Sequence, residues 1–174
     1  MPSATDILRD EHQVILRALL TLESAAGRFG GDGAPAEGLW TGLIGWLRAF
    51  ADHNHHAKEE EALFPVLIKA GVPAESGPIA VMPEEHAEGR ALLATMHTGK
   101  PIHRAAAAHR YIRLLRDHID KENEVLFPLA DAVLDQRDQA EVGREFANLD
   151  ARLGEAACLD LARDTLARLA DAIE

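Results

Sequence analysis

The chain contains a single cysteine, Cys158, in 174 residues. One cysteine cannot form an intramolecular disulfide, and no CxxC motif or catalytic His/Asn pair accompanies it. These absences exclude a disulfide-stapled fold and a CxxC redox site, and they fit a reducing compartment. We expect Cys158 to be a small residue of the core.

Basic residues are also scarce, since 18 Lys and Arg stand against 29 Asp and Glu, a formal net charge of −11. Nucleic acids and anionic membrane surfaces attract basic patches, so this charge argues against both as partners. No apolar run approaches the roughly 18 residues of a membrane span. The N-terminal sequence MPSATDILRDEHQ lacks the basic and apolar regions of a signal peptide. We therefore expect a cytoplasmic protein of a single domain's length.

Aromatic residues make up only 5% of the chain, and no stretch alternates in the manner of a β-strand. The sequence therefore predicts an all-α fold. Four long helices with short loops favour an antiparallel, up-down-up-down four-helix bundle with additional C-terminal helical segments. We expect residues 1–153 to form this bundle with a short extension. Residues 154–174 should form a C-terminal helix that packs on the bundle or at an interface.

Glycine and proline mark the predicted helix ends. Ser3 or Thr5 should cap a first helix that runs to about Phe29, before the break Gly30-Gly31-Asp32-Gly33. Pro65 and Pro128 fall inside the second and fourth helices, and each should end its helix early or kink it. The remaining predicted helices span about 36–70, 79–97, 101–134, 136–153 and 155–172, with Gly71 and Gly154 as C-terminal stops.

An internal repeat sets the register of the candidate site. HHAKEEEALFP at 55–65 and HIDKENEVLFP at 118–128 match at an offset of 63 residues. Asp10-Glu11-His12 resembles Glu84-Glu85-His86 in the same way. The chain therefore reads as two helical hairpins, each with an acidic-His helix followed by an HxxxE helix. Such a repeat predicts a pseudo-two-fold arrangement.

Residues four apart on a helix share one stripe, so His55 faces the same way as Glu59, and His118 the same way as Glu122. The flanking residues on these stripes are apolar, and so are those around the histidines of the first and third helices. A single HxxxE pair is usually a solvated charge pair, but two pairs in repeat with two further core histidines are more specific. Buried carboxylates need partners, and metal ions would supply them. Imidazole and carboxylate are ligands for iron, manganese or zinc. Six such ligands are more than one tetrahedral zinc ion binds.

The pattern H…HxxxE…H…HxxxE over residues 4–135, with Leu-Phe-Pro after each HxxxE, resembles the hemerythrin-like (HHE cation-binding) family. The resemblance implies two iron ions joined by an oxo or hydroxo group, for which zinc or manganese could substitute. Glu59 and Glu122 would bridge the irons. The implied metal ligands are His12, His55, Glu59, His86, His118 and Glu122.

The sequence departs from oxygen-carrying hemerythrins, which place another histidine one turn further along the third helix and end with HxxxxD. Arg90 occupies that third-helix position, where it could pair with a nearby carboxylate, and Asn123 follows Glu122. The site therefore looks nearly symmetric, whereas reversible oxygen carriage depends on two unequal irons. The sequence therefore favours redox chemistry or sensing at least as strongly as reversible oxygen carriage.

Two functions from different classes remain open. The first is a module that binds or senses oxygen, nitric oxide or iron, and the second is a di-iron enzyme that consumes peroxide, of catalase or peroxidase type. A purely structural zinc or iron bundle is a weaker third reading. The expected partner is a small ligand such as O2, NO or peroxide, and a homo-oligomer is compatible with the sequence. No HExxH, P-loop, GxGxxG or GxSxG motif favours another enzyme class.

Three polar residues beside the repeat have no functional counterpart in it. His53, His56 and Glu60 lie off the His55 stripe when counted at 100° per residue, so we expect them at the surface. Tyr111, the only tyrosine, lies two turns before His118 on the same stripe. It is either a core aromatic with a satisfied hydroxyl, or a hydrogen-bond donor to the metal ligands or an extra metal ligand.

Overall fold

A computed structural model describes residues 2–29 and 33–173, and over these residues the chain is helical without any β-strand. The predicted all-α class is therefore confirmed. The predicted break at Gly30-Gly31-Asp32 lies outside the described residues. The α-helices are α1 (Ala4–Gly27), α2 (Glu37–Trp46), α3 (Phe64–Lys69), α4 (Pro78–Thr98), α5 (Pro101–Lys121), α6 (Phe127–Val133), α7 (Gln136–Leu153) and α8 (Leu159–Ile173).

Capping residues and glycines set the helix ends, as predicted. Ser3 begins α1 with a capping box, in which its hydroxyl accepts from the Asp6 N–H and the Asp6 carboxylate accepts from the Ser3 N–H. Gly71 follows α3 with a φ of +100°, a left-handed conformation that favours glycine. Gly154 ends α7 with a φ of +60°. Asp135 caps the start of α7 with a second capping box.

The helix that carries His55 changes its hydrogen-bonding pattern along its length. A long π segment (Leu47–His56) follows α2, and a short π turn (Glu59–Leu63) leads into α3. A second short π turn (Glu122–Leu126) joins α5 to α6. Helical structure is continuous from Glu37 to Lys69 and from Pro101 to Val133. π-Helix is rare and is frequently found at functional sites.

Neither internal proline ends its helix, contrary to one of the two outcomes expected. Each follows a short π turn, in which the Phe64 N–H donates to the Glu59 carbonyl and the Phe127 N–H donates to the Glu122 carbonyl. Proline lacks an N–H, and in an α-helix its ring would meet the carbonyl four residues back. The widened turn accommodates this clash, so the helix continues through Pro65 and Pro128 at the first turn of α3 and α6.

Two separate apolar clusters form the core, and the candidate site lies between them. One cluster contains Ile15, Ala51 and Leu115, and the other contains Leu8 and Leu63. In sequence, each predicted ligand falls between residues of the two clusters. Helix α5 packs against both α1 and α4, and each of these two helices also contacts the long π segment. This packing agrees with the predicted four-helix bundle, whose up-down-up-down order stays a prediction.

The C-terminal helices pack on the rest of the chain. Helix α8 contacts α1 and α2, where the Trp46 indole N–H donates to the Ala162 carbonyl over 3.1 Å. Helix α7 contacts the first short π turn and α3. The predicted division into 1–153 and 154–174 stays a prediction. Cys158, expected in the core, is exposed because it lies in the short connection between α7 and α8. No helix within the described ranges has both the length and the apolar character to cross a membrane.

Candidate metal centre

The six predicted ligands come together in the interior, and none is more than 1% exposed. Together with His56, they form two groups of donor atoms, and within each group the atoms lie within 4.8 Å of one another. The first cluster consists of His12, His55, Glu59 and Glu122. The second cluster consists of His56, Glu59, His86 and His118.

The two glutamates connect the clusters, because each carboxylate directs one oxygen toward each side. Glu122 Oε2 lies 3.1 Å from His12 Nε2, and its Oε1 lies 3.0 Å from His118 Nε2. Glu59 Oε1 lies 3.6 Å from His55 Nε2, and its Oε2 lies 3.4 Å from His86 Nε2. Carboxylates that span two donor groups in this way are suited to bridging two cations.

The unpaired atoms at the centre provide a test of whether metal ions fit. Within the described residues, both oxygens of Glu59, Glu122 Oε1, His55 Nε2 and His56 Nδ1 are buried and make no hydrogen bond. An unsatisfied buried polar atom costs about 1–3 kcal/mol, so several at one place need a partner. Neutral imidazole nitrogens and carboxylate oxygens together suit first-row transition metals. The residues present therefore fit a pair of metal ions.

Each HxxxE histidine contacts a carboxylate through its Nδ1, and a lysine donates a hydrogen bond to that carboxylate. Glu11 Oε2 lies 2.8 Å from His55 Nδ1, and Lys58 donates to Glu11 Oε1 over 2.5 Å. In the other half, Glu85 Oε2 lies 2.8 Å from His118 Nδ1, and Lys121 donates to Glu85 Oε1. Such carboxylate–imidazole contacts fix the ring orientation and leave Nε2 free for a metal. Both sets follow the internal repeat.

The two remaining histidines also occupy matching environments. His12 Nδ1 lies 3.0 Å from Asn123 Oδ1, and His86 Nδ1 lies 2.7 Å from Glu60 Oε1. Glu60 and Asn123 are counterparts in the repeat, so an amide serves one histidine and a carboxylate serves the other. Arg90 donates to Glu60 over 2.8 Å and to Asp52 over 2.6 Å. The expected pairing of Arg90 with a carboxylate beside the site is thereby confirmed.

The buried carboxylates and histidines have strongly displaced pKa values. Burial and the nearby Glu122 raise the pKa of Glu59 well above its ordinary value. Burial acts in the same direction on Glu122, but His118 and His12 outweigh it and hold its pKa well below the ordinary value. Burial would lower the pKa of His118, yet Glu122 and Glu85 raise it to about 9. Burial lowers the pKa of His55 to about 4, despite Glu11. Without metal, His118 is therefore charged at pH 7, and Glu59 keeps its proton to a higher pH than an ordinary glutamate does.

Two of the three residues expected at the surface are not exposed. His53 is exposed, as predicted, with 59% of its side chain accessible. His56 is 3% exposed and belongs to the second cluster, so its expected surface position is wrong. Glu60 is half-buried against His86. Both residues lie in π-helical backbone, whose turns contain more residues than the α-helical turn assumed by a count at 100° per residue.

Tyr111 is fully buried, in agreement with a core aromatic. Its hydroxyl has no hydrogen-bond partner within the described residues, so the expectation of a satisfied hydroxyl is wrong. Burial and the charge of Asp52 raise the pKa of this phenol. Tyr111 therefore stays neutral and keeps its proton at physiological pH.

Small cavities reach the surface beside the second cluster. One of about 440 Å³ includes Glu60, Phe64 and Arg90 in its lining. Another of about 410 Å³ includes Asp52, Glu60 and Arg90. Glu60, which is hydrogen-bonded to His86, thus lines both cavities together with Arg90.

Sequence comparison agrees with this arrangement of histidines and glutamates. The model of the hemerythrin HHE cation-binding domain matches residues 3–130, so the chain belongs to that family. Among its curated relatives are iron-sulfur cluster repair proteins YtfE from Escherichia coli (strain K12 / DH10B) and Shigella boydii serotype 18. Each is 39% identical over 90 residues, which cover 44% of this chain and 40% of the relative. The match thus spans less than half of those relatives. No solved structure matches the chain.

Four residues that support the histidines were not assigned a role from sequence. They are Glu11, Lys58, Glu85 and Lys121, and all four belong to the matched positions of the repeat. The signal was therefore present, but a repeated Lys or Glu does not reveal which histidine it contacts. His56 carried no such signal, because its counterpart in the repeat is Ile119.

Proposed function

We propose that the chain is a non-haem di-iron protein in which His12, His55, Glu59, His86, His118 and Glu122 hold two iron ions. Membership of the family already supports an iron-binding function. The observation that carries the pair of irons is the position of Glu59 and Glu122, each with one oxygen toward a histidine of either cluster. We further propose the four-helix bundle as the frame that sets this spacing.

The irons would supply a redox-active site at which a small ligand such as oxygen or nitric oxide can bind. The protein residues orient and insulate that site. Glu11 and Glu85 hold the HxxxE histidines with Nε2 toward the centre. The apolar clusters on either side keep bulk water away from the buried carboxylates. Binding or sensing of a small ligand is the activity that this enclosed site supports best.

Metal analysis with an optical spectrum tests the two-iron proposal. Protein purified in air should contain about two irons per chain and show the near-ultraviolet absorption of a coupled ferric pair. A His53→Ala variant, altered at an exposed histidine outside both clusters, should behave identically. One zinc per chain, or iron content that survives loss of His118, would contradict the proposal.

The same preparation distinguishes binding from catalysis. Reversible, stoichiometric spectral change when the reduced protein meets oxygen or nitric oxide would support a binding or sensing role. Continuous release of oxygen from added peroxide would support the peroxide-consuming enzyme instead. The oxygen electrode and the spectrophotometer together separate these outcomes.

The similarity to iron-sulfur cluster repair proteins favours a second candidate, in which the irons are delivered to damaged clusters. The two halves of the centre differ in outer partners, so one iron could be held less firmly than the other. Incubation of the iron-loaded protein with an apo-ferredoxin and a sulfide source tests this directly. Faster cluster assembly than with free ferrous iron at the same concentration would support delivery, and an equal rate would count against it.

A further inference from the structure

His56 brings an additional imidazole to one side of the centre. Its donor atom lies within 4.8 Å of those of His86, His118 and Glu59. Its ring stacks on that of His86, with centroids 3.9 Å apart and planes 13° apart. Its Nδ1 is buried and makes no hydrogen bond within the described residues. Asp52 Oδ1 lies 3.7 Å from that nitrogen, too far for a hydrogen bond.

The backbone differs between His56, which faces the candidate site, and its counterpart in the repeat, which faces the apolar core. His56 ends the long π segment, whereas Ile119, its counterpart, lies in α5, which is α-helical up to Lys121. Ile119 packs in the apolar core rather than among the metal-binding residues. The described chain thus contains an extended π segment in one half only. It lies where adjacent histidines, His55 and His56, enter different clusters.

We propose that His56 is a seventh ligand, which gives the second metal three imidazoles and the first metal two. This inference rests on the proposed pair of irons and goes beyond it, because it makes the two irons chemically unequal. The first iron would have His12 and His55, and the second would have His56, His86 and His118. Both would share the carboxylates of Glu59 and Glu122. A small ligand would then have a preferred iron, the one with fewer protein ligands.

Mössbauer spectroscopy of the reduced protein loaded with ⁵⁷Fe tests the inequality. Wild-type protein should give two quadrupole doublets of equal area, one for each iron. His56→Ile, which installs the residue of the other half, should move one doublet toward the other. Its second iron should also be lost to a chelator at concentrations at least about ten-fold lower, since even outer partners alter metal affinity by 10–100-fold.

Two further samples separate ligation from packing. His53→Ile changes the exposed neighbouring histidine and should leave the spectrum and the iron affinity unchanged. His56→Gly, supplied with millimolar imidazole, should regain the wild-type pair of doublets, because free imidazole can occupy the vacated space. A spectral change that imidazole does not reverse would overturn the proposal, because a packing defect has no reason to respond to imidazole.

The outcomes also distinguish this inference from the proposed function. If His56→Ile retains two irons and an unchanged spectrum, His56 is not a ligand, and the two-iron proposal stands. If wild-type protein does not take up two irons, the proposed function fails and the seventh ligand fails with it. Circular dichroism of each variant verifies that the helices are intact before the spectra are compared.

Discussion

The two halves of the centre repeat the same residues in unequal surroundings. Glu11, His55 and Lys58 are all buried, and Lys58 also pairs with Asp150 of α7 over 3.0 Å. In the other half, His118 is buried, but Glu85 is partly exposed and 41% of the Lys121 side chain is accessible. The internal repeat therefore preserves the contacts around each HxxxE histidine. The helices packed over each half determine how deeply those contacts are buried, and so how much they contribute to stability. Among the described residues, α7 forms an ion pair with the lysine of the first half and none with that of the second.

Removal of a shared carboxylate should have the largest effect, because it removes the element common to both halves. In Glu122→Ala, His12 and His118 lose their carboxylate partner, and the proposed iron pair loses a bridge. We expect iron content to fall from about two per chain to well below one. Glu124→Ala, at an exposed position two residues away, is the matched control. Iron content above one in Glu122→Ala would show that the halves bind metal independently.

Loss of the outer carboxylates should reveal the inequality of the halves. Glu11→Gln leaves Lys58 buried with only Asp150 as an anionic partner, and breaking a buried ion pair costs about 3–5 kcal/mol. Glu85→Gln breaks a partly exposed pair, for which about 0–1 kcal/mol is typical. Urea unfolding of the metal-free proteins at a pH above 9, where His118 is neutral and its contact with Glu85 is no longer an ion pair, measures the difference between the two lysine pairs. Each substitution should also weaken metal binding by about 10–100-fold. Equal losses of unfolding free energy would refute the assigned role of burial.

Proton competition should separate the two clusters as pH changes. The pKa of His118 is raised to about 9, so below that pH a proton must leave before a metal binds the second cluster. The pKa of His55 is lowered to about 4, so its ring carries no extra proton at neutral pH, whereas the raised pKa of Glu59, which belongs to both clusters, acts on the two clusters alike. Affinity for the second metal should therefore rise by up to about ten-fold per pH unit between pH 7 and 9. Chelator competition measures it, and an affinity that falls over this range would contradict the assigned charge.

The contact between α7 and Lys58 should have the smallest effect. Asp150 is about half exposed, and partly exposed pairs contribute about 0–1 kcal/mol. We expect Asp150→Asn to lower the unfolding free energy by less than 1 kcal/mol and to leave iron content unchanged. Thermal unfolding monitored by circular dichroism is the measurement. Loss of iron in this variant would mean that α7 orients His55 through Lys58, rather than only covering it.

Much of the fold could be predicted because local chemistry decides it. Ser3, Gly71 and Gly154 act at helix ends through their own hydroxyl or backbone freedom, so they signal those ends from sequence alone. The consequence of Pro65 and Pro128 depends on whether the backbone widens, which a residue-by-residue reading does not reveal. The expected early helix ends at these prolines are therefore wrong, whereas the alternative, a kink, stays a prediction.

The candidate site was predictable to the extent that it repeats. The six residues now found together were identified because two HxxxE motifs and two acidic-His motifs fix their register. Glu11 and Glu85 were visible in the same repeat, but their contacts cross between helices and depend on packing. His56 was misplaced because its counterpart, Ile119, offers no metal-binding atom. Ile119 is itself buried, so the repeat marks this position as inward-facing, but which cluster a side chain enters depends on packing between helices.

The long π segment accommodates additional residues in a helix that remains continuous. A hydrogen bond from residue i to i−5 encloses one residue more than the α-helical bond does. Deleting one residue between Leu47 and Phe50 would remove a surplus residue from the π segment. The residues before the deletion would then rotate about the helix axis relative to His55 and His56. The set of side chains that face the centre would then change although every histidine and glutamate is kept. Changes in chain length, as well as substitutions, are thus a route by which such a centre can acquire or lose a ligand.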